Sequence, residues 1–69
     1  MFLTADQEAR ISAVAEKCIE LATKSDAPYT EIGECIEELK RSADWTEGEI
    51  IEVQTRVIRA ILKQQHRGL

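Results

Sequence analysis

The run IIEVQTRVIRAIL at positions 50–62 constrains the fold more than any other part of the chain. On a helical wheel, Ile50, Val53, Val57 and Ile61 fall in one stripe. Ile51, Ile58 and Leu62 fall in a second, rotated from the first by roughly 100°. The apolar arc covers more than half of the helix, whereas packing on one side of a small bundle needs only a narrower stripe. Such a helix needs partners on two sides. Either two other helices cover both stripes, or a second copy of the chain covers one of them. The second arrangement is the expectation here, with Ile51, Ile58 and Leu62 as the contact patch and Arg59 and Lys63 at its rim.

The stretch ahead of this run, ADWTEGEII, has the marks of a helix start. Thr46 and Glu49 have the spacing of a capping box, and Trp45 with Ile50 has that of a hydrophobic staple. Acids come first (Glu47, Glu49, Glu52) and bases later (Arg56, Arg59, Lys63, Arg67), which complements the helix dipole. Gly68 is placed to end the helix near His66.

Two further helices precede it. Thr4 and Gln7 form another capping box, followed by an apolar face of Ile11, Val14, Ala15, Cys18 and Ala22 that Ile19 and Leu21 widen. Asp26 is placed to cap the second helix, with Thr30 as a competing cap and Pro28 in the first turn. Its core face reads Ile32, Cys35, Ile36, Leu39 and Ala43. Gly33 weakens this helix slightly and leaves room for a close approach. The spacing predicts helices over about 5–24, 28–42 and 46–66, and no repeat or low-complexity segment interrupts them. With 69 residues, one Pro, three Gly and three aromatics, the chain reads as a single all-α domain over 1–69. The predicted form is a small three-helix antiparallel bundle, dimeric through the second stripe; so small a core is only marginally self-sufficient and draws on well-packed helices, on oligomerisation or on both.

Charge argues about partners. Between Glu31 and Glu52 the chain has eight acids and two bases, and from Val53 to Leu69 four bases and no acid. The two helices at 28–66 superficially suit a helix-turn-helix. A recognition helix usually reads bases with its first residues, and here those are acidic and would repel phosphates. Arg56, Arg59, Lys63 and Arg67 lie along one face and remain the candidate phosphate contacts in that alternative reading. Glu31, Glu34, Glu37 and Glu38 form an acidic strip on the second helix, either a solvated face or a dock for a basic protein surface. The acids also oppose an anionic membrane.

No catalytic, cofactor or metal pattern emerges. Cys18 and Cys35 fall on core stripes, where cysteine behaves as a small apolar residue. A disulfide between them is conceivable, but the expected compartment is the reducing cytoplasm, since the N-terminus lacks signal-peptide features. Metal-ligand spacing and a phosphate-cradling glycine loop are missing. A Cys35–His66 pair lacks an orienting acid at recognisable spacing. Glu37 and Glu38 are sequence neighbours and point in different directions.

The segment IGECIEELKRSADWTEGEIIEVQTRVIRAIL resembles the small bacterial regulators of the YmgB/AriR type, extending loosely back to about Glu8. The resemblance rests on helix lengths, on the order of two short connections, and on Ile32, Ile36, Leu39, Asp44 and Ile51. Trp45 and the two cysteines fall outside it, and no binding residue carries over. It implies an all-helical dimer without an active site that acts by binding other proteins, with DNA association a further possibility. The expectation from the sequence is thus a non-enzymatic regulatory or adaptor homodimer in a bacterial or phage setting.

Overall fold

Both capping boxes form, and they fix where the first and third helices begin. The backbone N–H of Gln7 donates to Thr4 Oγ1 at 3.1 Å, and the Thr4 N–H donates back to Gln7 Oε1 at 3.0 Å. Likewise Glu49 N–H donates to Thr46 Oγ1 at 3.2 Å and Thr46 N–H to Glu49 Oε1 at 2.9 Å. The computed structural model describes residues 3–67, and for His66 and Arg67 the backbone alone. It contains α1 (Ala5–Lys24), α2 (Pro28–Arg41) and α3 (Glu47–Arg67), and among the described residues there is no strand. The predicted helix limits agree to within a residue. Gly68, expected to end α3, lies outside the described residues.

The start of α2 differs from expectation. Neither Asp26 nor Thr30 caps it. The N-cap is Ala27, which offers no side-chain hydrogen bond, and Pro28 occupies the first turn. Proline disfavours helical geometry in the residue before it, so the boundary falls at Ala27 and Asp26 is left one position too early. The Ala27 carbonyl accepts from the N–H groups of Thr30 and Glu31, each at 3.1 Å. Ser25 Oγ accepts from the Ala27 N–H at 3.0 Å and holds the turn. Ala43 is exposed, because α2 ends at Arg41 and Ala43 falls in the turn beyond it.

All three helices pack against one another. α1 and α3 point the same way: Glu8 and Arg10, early in α1, pair with Arg56 and Glu49 in the first half of α3, and Thr23, near the end of α1, pairs with Gln64 near the end of α3. α2 runs against them, with Tyr29 near its start donating to Gln65 near the end of α3. The core is Ile11, Ala15, Cys18 and Ala22 of α1, Ile32 and Ile36 of α2, and Ile50, Val53, Val57 and Ile61 of α3. Val14, Ile19, Cys35, Leu39, Trp45 and Ile58 pack around it, partly covered, and Leu21 is exposed. No helix among the described residues is long and apolar enough to cross a membrane.

Candidate interaction surface

The first stripe of α3 is the inner one. Val53 and Val57 are sealed completely, with Ile50 and Ile61 nearly so. The second stripe divides. Ile58 is half-covered at the edge of the core, while Ile51 is 54% exposed and Leu62 46% exposed. Two helices therefore do not cover both stripes. The outer face of α3 presents two large aliphatic side chains flanking a half-buried third, and Arg59 and Lys63 are exposed on the flank that leads round toward Arg56. Next to Ile51 the surface dips into a shallow groove lined by Lys40, Glu47, Ile50 and Gln54.

The four candidate phosphate contacts do not act alike. Arg56 is engaged within the chain. Its guanidinium donates from Nη2 to Glu8 Oε2 at 2.7 Å, from Nη1 to Glu8 Oε1 at 3.0 Å and from Nε to Glu52 Oε1 at 3.1 Å. Ser12 Oγ accepts a further bond from Nη1 at 3.2 Å. These hydrogen bonds from Arg56 hold the Glu8 carboxyl below its ordinary value, and the two carboxylates in turn raise the pKa of the guanidinium. Arg59 and Lys63 remain exposed, and among the described residues neither pairs with a carboxylate. The Arg67 side chain lies outside the described residues.

On α2, Glu34, Glu37 and Glu38 are exposed and Glu31 is half-buried. Glu34, Glu37 and Glu38 line a broad depression with Thr30, Gly33 and Arg41. Glu37 is 3.8 Å from Lys40. Nothing lies within 4 Å of where a Cβ on Gly33 would sit, so that glycine serves no helix–helix approach within the chain.

One constellation has no local signal in the sequence. Arg10, on α1, reaches the turn between α2 and α3. Its guanidinium lies 4.4 Å from the centroid of the Trp45 ring, donates to the Asp44 carbonyl at 2.9 Å and pairs with Glu49 at 3.5 Å. Glu49 is a buried acid, and the Thr46 backbone amide is the main reason its carboxyl is held below the ordinary value, with Arg10 adding to it. The capping box foretold the bond to Thr46. The contact with Arg10, far away in sequence, could be found only once the helices were placed.

Cys18 is buried and Cys35 half-buried, both as free thiols. Burial pushes the Cys18 thiol up to about 12, with Cys35 and Glu38 adding to the effect. No group of three or more His, Cys, Asp or Glu among the described residues could hold a metal ion. The His66 side chain, and with it the Cys35–His66 pair, lies outside the described residues. Compared with known proteins, the chain matches no family model, no curated relative and no solved structure.

Proposed function

We propose that this chain is a non-enzymatic regulatory or adaptor module that works through protein contact, and that its first partner is a second copy of itself. The observation that carries the reading is the exposure of Ile51 and Leu62 on the helix that also supplies the centre of the core. Charge favours one geometry. α3 is acidic in its early turns, at Glu47 and Glu52, and basic later, at Arg59 and Lys63. Two copies of α3 side by side in the same direction would set like charges together. Running in opposite directions about a twofold axis, they set the acidic end of each beside the basic end of the other. Ile51 of one copy then meets Leu62 of the other, with Ile58 near the axis.

Kinship with the YmgB/AriR-type regulators belongs to the same proposal, and so does a cytoplasmic setting. The acidic strip of α2, with Glu34, Glu37 and Glu38 exposed, offers a face for a basic protein partner. The competing nucleic-acid reading retains Arg59 and Lys63, but Arg56 is occupied by Glu8 and Glu52. It calls for binding that weakens steeply with salt.

Sedimentation equilibrium on the intact chain and on Leu62→Asp tests the proposal. Leu62 is a better target than Ile58, whose inner side packs on the core, so an acid there would disturb folding as well. The expected result is a dimer that Leu62→Asp converts to a folded monomer. A wild-type chain that stays monomeric at high concentration would overturn the self-association. A Leu62→Asp chain still dimeric would overturn the choice of face.

A further inference from the structure

We infer that Cys18 and Cys35 form a redox-responsive dithiol at which a low-molecular-weight disulfide, such as glutathione disulfide, closes an intramolecular bond between α1 and α2.

The register of the helical hairpin brings the two residues together. α1 ends at Lys24 and α2 begins at Pro28, so the turn is centred near Asp26. Antiparallel arms leaving that turn set residues at equal distances from it opposite each other, and Cys18 and Cys35 are nearly equidistant. Both line the same groove between the helices, walled by Val14, Leu21 and Leu39 and rimmed by Lys17 and Glu38. The thiols are close enough that Cys35 helps to hold Cys18 in its protonated form. A disulfide needs Cα atoms within about 7 Å. Ala15 and Ala22, one turn to either side of Cys18 on α1, are small and buried.

The difference in exposure sets the order of events. Cys35 is half-open to the groove and Cys18 is sealed beneath it. The Cys35 thiolate attacks one sulfur of the external disulfide, and the first thiolate leaves. Cys18 then loses its proton and attacks the Cys35 sulfur of the mixed disulfide, and the second thiolate leaves. Two electrons pass from the two cysteine sulfurs to the external disulfide. The two thiol protons end on the two released thiolates, giving two small-molecule thiols. The product pins α1 to α2 without using the outer face of α3, so the inference stands or falls separately from the dimer.

The test is incubation of the folded, full-length chain with glutathione disulfide, read by intact mass and tryptic mapping. The expected product is a single chain lighter by two hydrogens, with peptide 18–24 joined to peptide 25–40. It should unfold at higher urea than the reduced chain, and dithiothreitol should reverse both changes. Cys35→Ser should leave Cys18 at least tenfold slower to react than Cys35 in the wild type. A persistent mixed disulfide on Cys35, a bond between two chains, or two untouched thiols in the folded state would each overturn the proposal. Equal reactivity of Cys18 in Cys35→Ser would overturn the order of attack.

Discussion

Ile11 and Ile51 are the same side chain in opposite settings: one completely sealed in the core, the other 54% exposed on the outer face of α3. Truncating each to alanine separates folding from association. At Ile11 the loss combines transfer and cavity terms and should cost about 2–5 kcal/mol. A core of this size rarely supplies more than about 3–5 kcal/mol in total. With a urea slope of about 1 kcal/mol per molar, the midpoint of Ile11→Ala should fall by about 2 M or more, or no folded baseline should remain. At Ile51 roughly half of the side chain is already in water, so truncation forfeits about 1 kcal/mol of burial at most. Alanine, the better helix former, returns several tenths of a kcal/mol. In dilute solution, where the monomer dominates, the Ile51→Ala midpoint should therefore stay within about 0.5 M of wild type. The two variants diverge again on concentrating. Wild-type stability should rise by up to about 1.4 kcal/mol per dimer for each tenfold increase in chain concentration, by mass action. Ile51→Ala should lose most of that dependence. The assay is urea unfolding followed by far-ultraviolet circular dichroism at concentrations spanning two decades. The reasoning is refuted if Ile51→Ala lowers the dilute midpoint as much as Ile11→Ala, or if the wild-type midpoint ignores concentration.

Gly33→Ala should stabilise the chain by about 0.5–1 kcal/mol, because the position is helical, exposed and open around the missing Cβ; a lower melting temperature would show that the backbone there needs glycine. Stability should also fall with acid. Glu8 and Glu49 both titrate below their ordinary value of 4.5 when folded, so what their charged forms contribute is fully present above that value and is lost as pH falls through the lower, folded ones. Urea midpoints between pH 7 and 3 check this, and a midpoint unchanged through that range would contradict the hydrogen bonds assigned to the two carboxylates.

Local rules made much of the fold readable. Two Thr-x-x-Glu/Gln boxes and three amphipathic periods place all three helices, since caps and periodicity depend only on residues within a turn or two of one another. The second stripe of α3 was legible for the same reason, and its exposure at Ile51 and Leu62 follows the pattern. Asp26 and Thr30 both offered a cap for α2, and the restriction that Pro28 places on its predecessor set the boundary at Ala27 instead. What the sequence could not show were contacts spanning more than thirty residues. Nothing local to Arg10 announces Trp45 or Glu49, and nothing local to Arg56 announces Glu8. The bases at 56, 59 and 63 look equivalent on a helical wheel, and only the position of α1 sets Arg56 apart.

Those long-range contacts bear on the interaction surface although none lies in it. A wide apolar arc leaves the roll of a helix about its own axis poorly determined, since turning α3 by one stripe would exchange one set of aliphatics for another. Two polar pins settle the roll. Glu49 is two residues before Ile51, which puts it roughly 200° away on the helix, and Arg56 lies roughly 140° from Ile51. Both therefore project from the side opposite the outer stripe, and both are held by α1, Glu49 by Arg10 and Arg56 by Glu8. Rolling α3 to bury Ile51 and Leu62 would pull both pairs apart and strip the buried Glu49 of its cation. It would also carry Val53 and Val57, now completely sealed, toward solvent. The grip of α1 on α3, through Glu8 on Arg56 and Arg10 on Glu49, thus works together with the sealed valines to turn Ile51 and Leu62 outward.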